Sequence, residues 1–310
     1  MDKLVTLTNK RKLGKEIISH RVYLLMLIPG LVFLIIFQYI PMGGVVLAFK
    51  DHQLLKGVLG SPWVGLKHFR KLFSSPDFYR IMRNTIAISM MKLLCGFPVP
   101  IIFALLLNEV SHIRYRKLVQ TVSYMPHFIS WVLLSAVFID LLSLDGPVNG
   151  LLKMMGAQPT IFMSKSRFFW IIITLTHIWK TFGWSSIIYF AALSNVDPNL
   201  VEAAGIDGAS RFRKALSISL PCIMPTVLVL LILNTGSILS AGFDQVFNMY
   251  NASVMDVADI LDTYVYRQGL IKIEYSYSTA VGLFKSVVAL LMIVTTNHIA
   301  RTVNEGEALW

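Results

Sequence analysis

Few residues in this chain are placed to do chemistry. Lys180 stands near the middle of the apolar run "TLTHIWKTFGWSSIIYF". A lysine at bilayer centre costs about 3 kcal/mol on insertion scales, so it calls for a wet cavity or a polar partner. Trp179, Trp184 and Tyr189 share the run, and Trp131 lies in the preceding one. Rings that stack on sugar faces beside a cation suit an oligosaccharide bearing carboxylates. The competing reading is packing, with the tryptophans against lipid or neighbouring helices and Lys180 paired inside a bundle. Lys92 and Lys285 lie nearer the ends of their runs, where a long side chain can snorkel to water. Asp140 is a further cavity candidate, though a carboxylate near the end of a run is also readily solvated. These residue types bind; they do not form a catalytic set.

Enzyme chemistry has little to stand on. No G-x-x-x-x-G-K-[ST] phosphate loop occurs, and "GPVNGLLK" (146–153) fails on spacing and on its last residue. The seven histidines are scattered, without an H-x-x-x-H pair or a carboxylate at ligand spacing, so no metal site is expected. Cys95 and Cys222 fall in or beside apolar runs and read as small buried hydrophobes. No nucleophile motif is present.

The elements that must position these residues are membrane spans. Of 310 residues 55% are hydrophobic and only 15% charged, where a soluble domain carries about 25%. Mean hydropathy is +0.64. At about 20 apolar residues per crossing, six spans are predicted: roughly 22–47, 84–107, 119–142, 168–193, 221–240 and 279–300. The first is too long for a signal-peptide core and has no small-residue cleavage site, so it is read as a span. With both termini inside, the inner segments hold 13 Lys/Arg in 69 residues and the outer ones 12 in 99, a modest bias for that orientation. The domain reading is a basic cytoplasmic segment 1–21, a six-helix membrane domain 22–300 with an inner loop 194–220, and a cytoplasmic tail 301–310. The basic stretch 63–84 then lies outside, and Leu66, Phe69, Leu72 and Phe73 at helical spacing predict a short helix on the outer surface. Segment 241–278, with Asp244, Asn248, Tyr250 and Tyr264, reads as a long outer loop, either a gate or receptor surface or a plain loop. The net charge of +11 sits in membrane-flanking loops, which matches lipid head groups and not nucleic acid.

One inner segment is more specific. In "NLVEAAGIDGASRFRKALSISLP" (199–221), preceded by Asp197 and Pro198, a helix has its N-cap and its first-turn proline. Gly208 suits a left-handed helix stop, Ser210 caps a second helix, and Pro221 can open the fifth span. Two turns cannot bury their own apolar face, and so short a helix is marginal alone, so it must dock on something. Glu202 and Asp207 are free to meet cations of a partner, while Ala203 and Ala204 allow close backbone approach. Packing beneath its own bundle is the alternative.

The spacing E-A-A, three residues, G, nine residues, I-x-L-P is matched at Glu202, Ala203, Ala204, Gly208, Ile218, Leu220 and Pro221. It resembles the EAA loop of the membrane subunits of binding-protein-dependent ABC importers. "LIPGLVFLIIFQYIPMGGVVLAFKDH", "NTIAIS", "ALLLNEV", "YMPHFISW" and "GFDQVFNMYN" resemble the LplB-type branch of sugar permeases, serving oligosaccharides and polysaccharide fragments. The resemblance implies an all-α, type I importer permease with six transmembrane helices and an EAA coupling helix between helices 4 and 5. Glu202, Ala203, Ala204, Asp207, Gly208, Ala209, Arg211 and Phe212 would couple it to an ATPase. It also implies partners: a second, related but different permease chain, a cytoplasmic ABC ATPase dimer that binds ATP and Mg, and an external solute-binding protein, a lipoprotein where no outer membrane exists. The site would be a bacterial cytoplasmic membrane with both termini inside. An ion-coupled secondary transporter using Lys180 and Asp140 is the alternative, and an intramembrane hydrolase lacks paired residues at matched depth.

Overall fold

The computed structural model describes residues 19–303. Most of the basic N-terminal segment 1–21 and of the tail 301–310 lies outside the described residues. The described chain is helical, and its one β-bridge joins Lys50 and Trp63. Helix α1 is Arg21–Phe49, followed by a short α2, Lys67–Ser74. Next come α3, Pro76–Gly96, and α4, Pro98–Asn108, which together run 33 residues. Then follow α5, Ile113–Phe128, α6, Trp131–Leu141, α7, Pro147–Met154, and α8, Ser166–Leu193. The second half holds α9, Pro198–Ile206, α10, Arg211–Cys222, α11, Met224–Gly236, α12, Phe243–Met249, α13, Leu261–Tyr266, and α14, Tyr275–Val303.

Three helices, α1, α3–α4 and α14, are long and apolar enough to cross a membrane, and five if each bent pair counts as one span. The predicted third span is not straight: α5 and α6 meet at 100°. Pro126 opens a 3-10 turn there, and Ile129 and Ser130 are extended, so the ladder stops before Ser130 caps α6. The predicted fifth span is also broken near its start: α10 and α11 meet at 65° around Ile223, and α11 begins at Met224. The Pro225 ring would collide with the Pro221 carbonyl four residues back, which forces the break. Pro41 and Pro221 themselves each follow a π turn, Ile35–Tyr39 and Ala215–Ser219, whose wider ring moves the clashing carbonyl aside.

Helix α8, at 28 residues, sits where the fourth span was predicted but is not one of the purely apolar helices. Its polar residues Thr174, Thr176, Lys180 and Ser186 are buried by α3, α4, α5 and α12, so protein and not lipid solvates them. Conversely, α1 has no buried residue before Ala48, and it meets the rest of the chain chiefly where its 43–49 end packs on α14. Cys95 and Cys222 are free thiols and exposed, which corrects their reading as buried: both point out of the bundle.

The basic stretch 63–84 divides. The short helix stops at Ser74 because Ser75 precedes Pro76 and is held extended, and residues from Pro76 on belong to α3. Of its predicted apolar face only Leu72 is buried, beside His68, while Phe73 and Leu66 are exposed. Its lysines pair with carboxylates, Lys67 with Asp51 at 3.0 Å and Lys71 with Glu274 at 2.7 Å. The first pair holds the exposed Asp51 carboxyl below its ordinary range through the lysine hydrogen bond.

Segment 241–278 is no plain loop. Val246, Met249, Val254, Ala258, Ile260 and Leu261 are buried, and Asn84 on α3 donates to the Asp256 and Asp259 carbonyls at 2.9 and 3.1 Å. Asp259 is fully buried, paired with Arg267 through bonds of 2.6 and 3.1 Å and accepting from Thr263 Oγ1 at 2.9 Å. Removing one partner of such a pair strands the other charge, so Asp259→Leu should cost about 3–5 kcal/mol. Chemical unfolding of the purified protein in detergent checks this.

Candidate functional site: a polar cavity and an exposed helical elbow

Helix α8 organises the interior. Towards its N-terminal end Phe169 and Ile173 pack with Ile88, Val246 and Ile260; towards its C-terminal end Tyr189 and Leu193 pack with Ile101, Ile223 and Val227. Between these two apolar clusters lies a cavity of about 320 Å³. Its α8 wall is His177, Thr181, Ser185 and Tyr189. A spacing of four puts all of them on one helix face. Facing them are Ser89 and Lys92 of α3, and Asn234 and Ser237 at the end of α11.

Of the sequence-predicted pathway residues, the structure brings only Lys92 and Tyr189 to this cavity. Lys92 is 8% exposed, and its ammonium donates to Ala241 O at 2.7 Å and Gln245 Oε1 at 2.6 Å. It is therefore not a snorkelling end residue but a buried one. The left-handed Gly242, φ +86°, allows this contact: a Cβ there would lie 2.8 Å from Lys92 Nζ. His177, Thr181 and Ser185 were missed by the sequence reading. Their signal in the sequence is a polar stripe at spacing four along α8, with Lys180 and the tryptophans on neighbouring faces.

Lys180 has another job. It is 6% exposed and donates to the carbonyls of Pro126 at 3.2 Å, His127 at 2.8 Å and Ile129, at the α5–α6 bend. These are the orphan acceptors that a helix C-terminus leaves, and a cation there also meets the negative end of the helix dipole. Trp184 stacks on His127 at 4.7 Å, Trp179 meets Phe138 edge-on at 5.6 Å, and the Trp131 ring lies 5.4 Å from Lys180 Nζ. These four residues brace the bend and do not line the cavity. Gly183 permits the same packing, since a Cβ there would overlap the Ser123 carbonyl of α5. Gly183→Val should consequently cost about 1–3 kcal/mol or more, seen as a lowered thermal midpoint. Asp140 is exposed on α6, away from the cavity. Lys285 pairs with Asp262 at 2.5 Å.

The elbow at 197–222 has the local form its residues dictate. Asp197 caps α9 by accepting from Asn199 N at 2.9 Å, and Gly208 turns left-handed at φ +79°. Ser210 caps α10 by accepting from Arg213 N at 3.3 Å. The elbow folds back on itself: a Cβ at Gly205 would come 3.1 Å from Lys214 Nζ. Leu200, Ile206 and Phe212 are exposed, Ile206 at 89%. Glu202, Ala203, Asp207, Gly208 and Arg211 are exposed too, with Ala204 and Ala209 half-covered. Among the described residues Glu202 and Asp207 have no ion-pair partner. Beside the elbow, Glu202, Pro198 and Val201 share a cavity of about 340 Å³ with Asn108 and Ser219.

Comparison with known proteins places this architecture. The family described as "Binding-protein-dependent transport system inner membrane component" matches residues 96–305. The chain is 43% identical over 307 residues to the polygalacturonan/rhamnogalacturonan transport system permease protein YteP of Bacillus subtilis (strain 168), covering 98% of this chain and 96% of that one. It is 46% identical over 278 residues to protein LplB of the same organism, covering 89% and 87%. Among solved structures, a chain of a bacterial ABC transporter involved in the import of the acidic polysaccharide alginate superposes with a TM-score of 0.87 at 39% identity, covering 94% of this chain and 99% of that one. A second structure, a bacterial alginate ABC transporter in complex with an alginate pentasaccharide-bound periplasmic protein, gives 0.86 over 95% and 99%. These matches decide against ion-coupled secondary transport and against catalysis in this chain; ATP is bound by a separate ATPase. The chain is a multi-pass inner-membrane permease and belongs to the family of inner-membrane components of binding-protein-dependent ABC importers.

Proposed function

We propose that this permease forms half of a translocation pathway for oligosaccharides, driven through the elbow at 194–220 by a cytoplasmic ATPase dimer. One observation carries the coupling reading: α9 and α10 present Leu200, Ile206 and Phe212 to solvent, with Glu202 and Asp207 beside them and without an ion-pair partner among the described residues. Apolar anchors ringed by free charges are what an interface with a protein partner needs, and lipid would not receive the carboxylates. Glu202, Ala203, Ala204, Asp207, Gly208, Ala209, Arg211 and Phe212 then seat on the ATPase.

Six crossings fit the fold when α8 is counted with the five apolar candidates, since its polar face is covered by protein. Both termini are then cytoplasmic, flanking a membrane domain of residues 22–300. The unpacked α1, apolar all round, suits lipid on one side and a second permease chain on the other. The cavity between α3, α8 and α11 is small for an oligosaccharide, which suits a pathway completed by that second chain. Its hydroxyl and amide lining offers donors and acceptors matched to sugar hydroxyls. YteP is a polygalacturonan/rhamnogalacturonan transport permease and the superposed transporters import alginate, which supports this substrate class. An external binding protein, lipid-anchored in a cell without an outer membrane, would deliver the sugar.

Crosslinking tests the coupling reading. In a background with Cys95 and Cys222 replaced by serine, Ala203→Cys is expected to crosslink to an ATPase chain in native membranes, with a yield that changes when ATP is added. A cysteine that reacts with cytoplasmic thiol reagents yet crosslinks to no ATPase would sink it.

A further inference from the structure

Two lysines are buried in this bundle, and their surroundings differ. Lys180 has three N–H groups and three carbonyl acceptors, so it is saturated by its own chain. Lys92 has two acceptors, Ala241 O and Gln245 Oε1, and its third N–H has no acceptor among the described residues. Its ammonium borders the cavity shared with His177, Thr181 and Ser185. No carboxylate lines that cavity, and no acidic side chain pairs with Lys92 among the described residues. Lys67, Lys71 and Lys285 all have such a partner.

The geometry is built, not incidental. Gln245 is 1% exposed and donates through Nε2 to Ile173 O at 2.7 Å and Thr176 Oγ1 at 2.8 Å. That leaves its Oε1 aimed at Lys92 and fixes the ammonium in place. Gly242 supplies the space, as any side chain would push into Nζ. A buried ammonium is costly unless each of its N–H groups is met, and Lys92, unlike Lys180, has one left over among the described residues. Two neutral acceptors orient the charge without cancelling it. The remaining N–H faces a chamber that offers the Thr181, Ser185 and Tyr189 hydroxyls and the His177 imidazole beside apolar walls at Leu93, Phe97 and Ile238, a preformed place for a single carboxylate attached to a hydroxyl-rich ring.

We infer that Lys92, held by Gln245, is a specificity-determining residue that binds the carboxylate of a uronic acid unit as an acidic oligosaccharide passes through the cavity. This rests on the pathway reading above. A charge-assisted hydrogen bond in a low-dielectric site is about twice as strong as a neutral one, so the acidic sugar gains where its uncharged twin does not.

The test compares a galacturonic acid oligosaccharide with its carboxyl-reduced, neutral counterpart. Equilibrium binding of each is measured on the purified complex of permeases and ATPase, without the binding protein, whose own preference is thereby removed. The expected wild-type result is at least about tenfold tighter binding of the acidic ligand, and Lys92→Gln should narrow that ratio to within about twofold. Lys92→Arg, which keeps the charge, should retain most of the preference. Should Lys92→Gln fail to assemble, Gln245→Glu adds the missing counter-charge beside Lys92 and is expected to abolish the preference as well. Equal weakening of both ligands would mean that Lys92 only ties Ala241 and Gln245 together, and would overturn the inference. So would a wild type that binds both ligands equally. A wild type that binds neither ligand overturns the cavity as a sugar site altogether, an outcome distinct from a lost preference.

Discussion

Lys180→Met should weaken the packed bundle by about 2–5 kcal/mol while making membrane insertion of α8 easier. The two effects have opposite signs because they belong to different steps. Insertion of an isolated helix carries the cost of a central lysine, about 3 kcal/mol, which methionine removes. Packing then depends on three charge-assisted bonds to Pro126, His127 and Ile129. Bonds between membrane helices are worth about 0.6 kcal/mol on average and up to about 1.7 each, and losing Lys180 leaves these carbonyls without the donor that meets them here. The sum falls on the α5–α6 bend, whose braces Trp184 and His127 should loosen together. A glycosylation-reporter assay measures the insertion step, and unfolding in mixed micelles measures the packing step. Lys180→Arg retains donors and should recover part of the stability. If Lys180→Met left the unfolding midpoint unchanged but lowered sugar binding, Lys180 would be a ligand-facing residue and the bracing role would be wrong.

Glu202→Arg is expected to leave folding untouched and to cut ATP-driven uptake by more than about tenfold. Glu202 is exposed and makes no ion pair among the described residues, so no ion pair described in the fold depends on its charge. Surface substitutions of that kind move stability by about 0.5 kcal/mol or less. At an interface, by contrast, a reversed charge costs several kcal/mol, and each 1.4 kcal/mol is about tenfold in affinity. Thermal unfolding of the purified permease checks the first half; substrate-stimulated ATP hydrolysis by the reconstituted importer checks the second. Gly208→Val tests the same elbow from the backbone side. At φ +79° a β-branched residue is strained, so the direction in which α10 leaves the turn should change and coupling should fall with it. Uptake at the wild-type rate in both variants would remove the elbow from the mechanism.

Much of this molecule is legible in one dimension because it is set by local rules. The caps Asp197 and Ser210, the left-handed stop at Gly208 and the apolar runs from Arg21 and to Val303 follow from residue types within a turn or two. The EAA spacing is equally local, contained within residues 202–221. Sequence reading fared worse where a break depends on two neighbours at once. The 100° bend after Phe128 needs both Pro126 and an outside donor, Lys180, fifty residues away in the chain. The 241–278 segment has a polar, aromatic composition, yet it is buried because Asn84 and Trp170 supply donors to its carbonyls.

The two buried lysines mark the boundary between these kinds of knowledge. By itself the sequence determined that this is a membrane bundle, that a capped helix-turn-helix elbow lies between two apolar runs, and that a lysine inside an apolar run must have a reason. Which reason belongs to which lysine was decided only by tertiary structure. A side chain's partners are set by what the other helices bring within about 3 Å, and burial says only that partners must exist. Lys180 meets three orphan carbonyls and becomes a brace; Lys92 meets two acceptors and an open cavity, with one proton left to give.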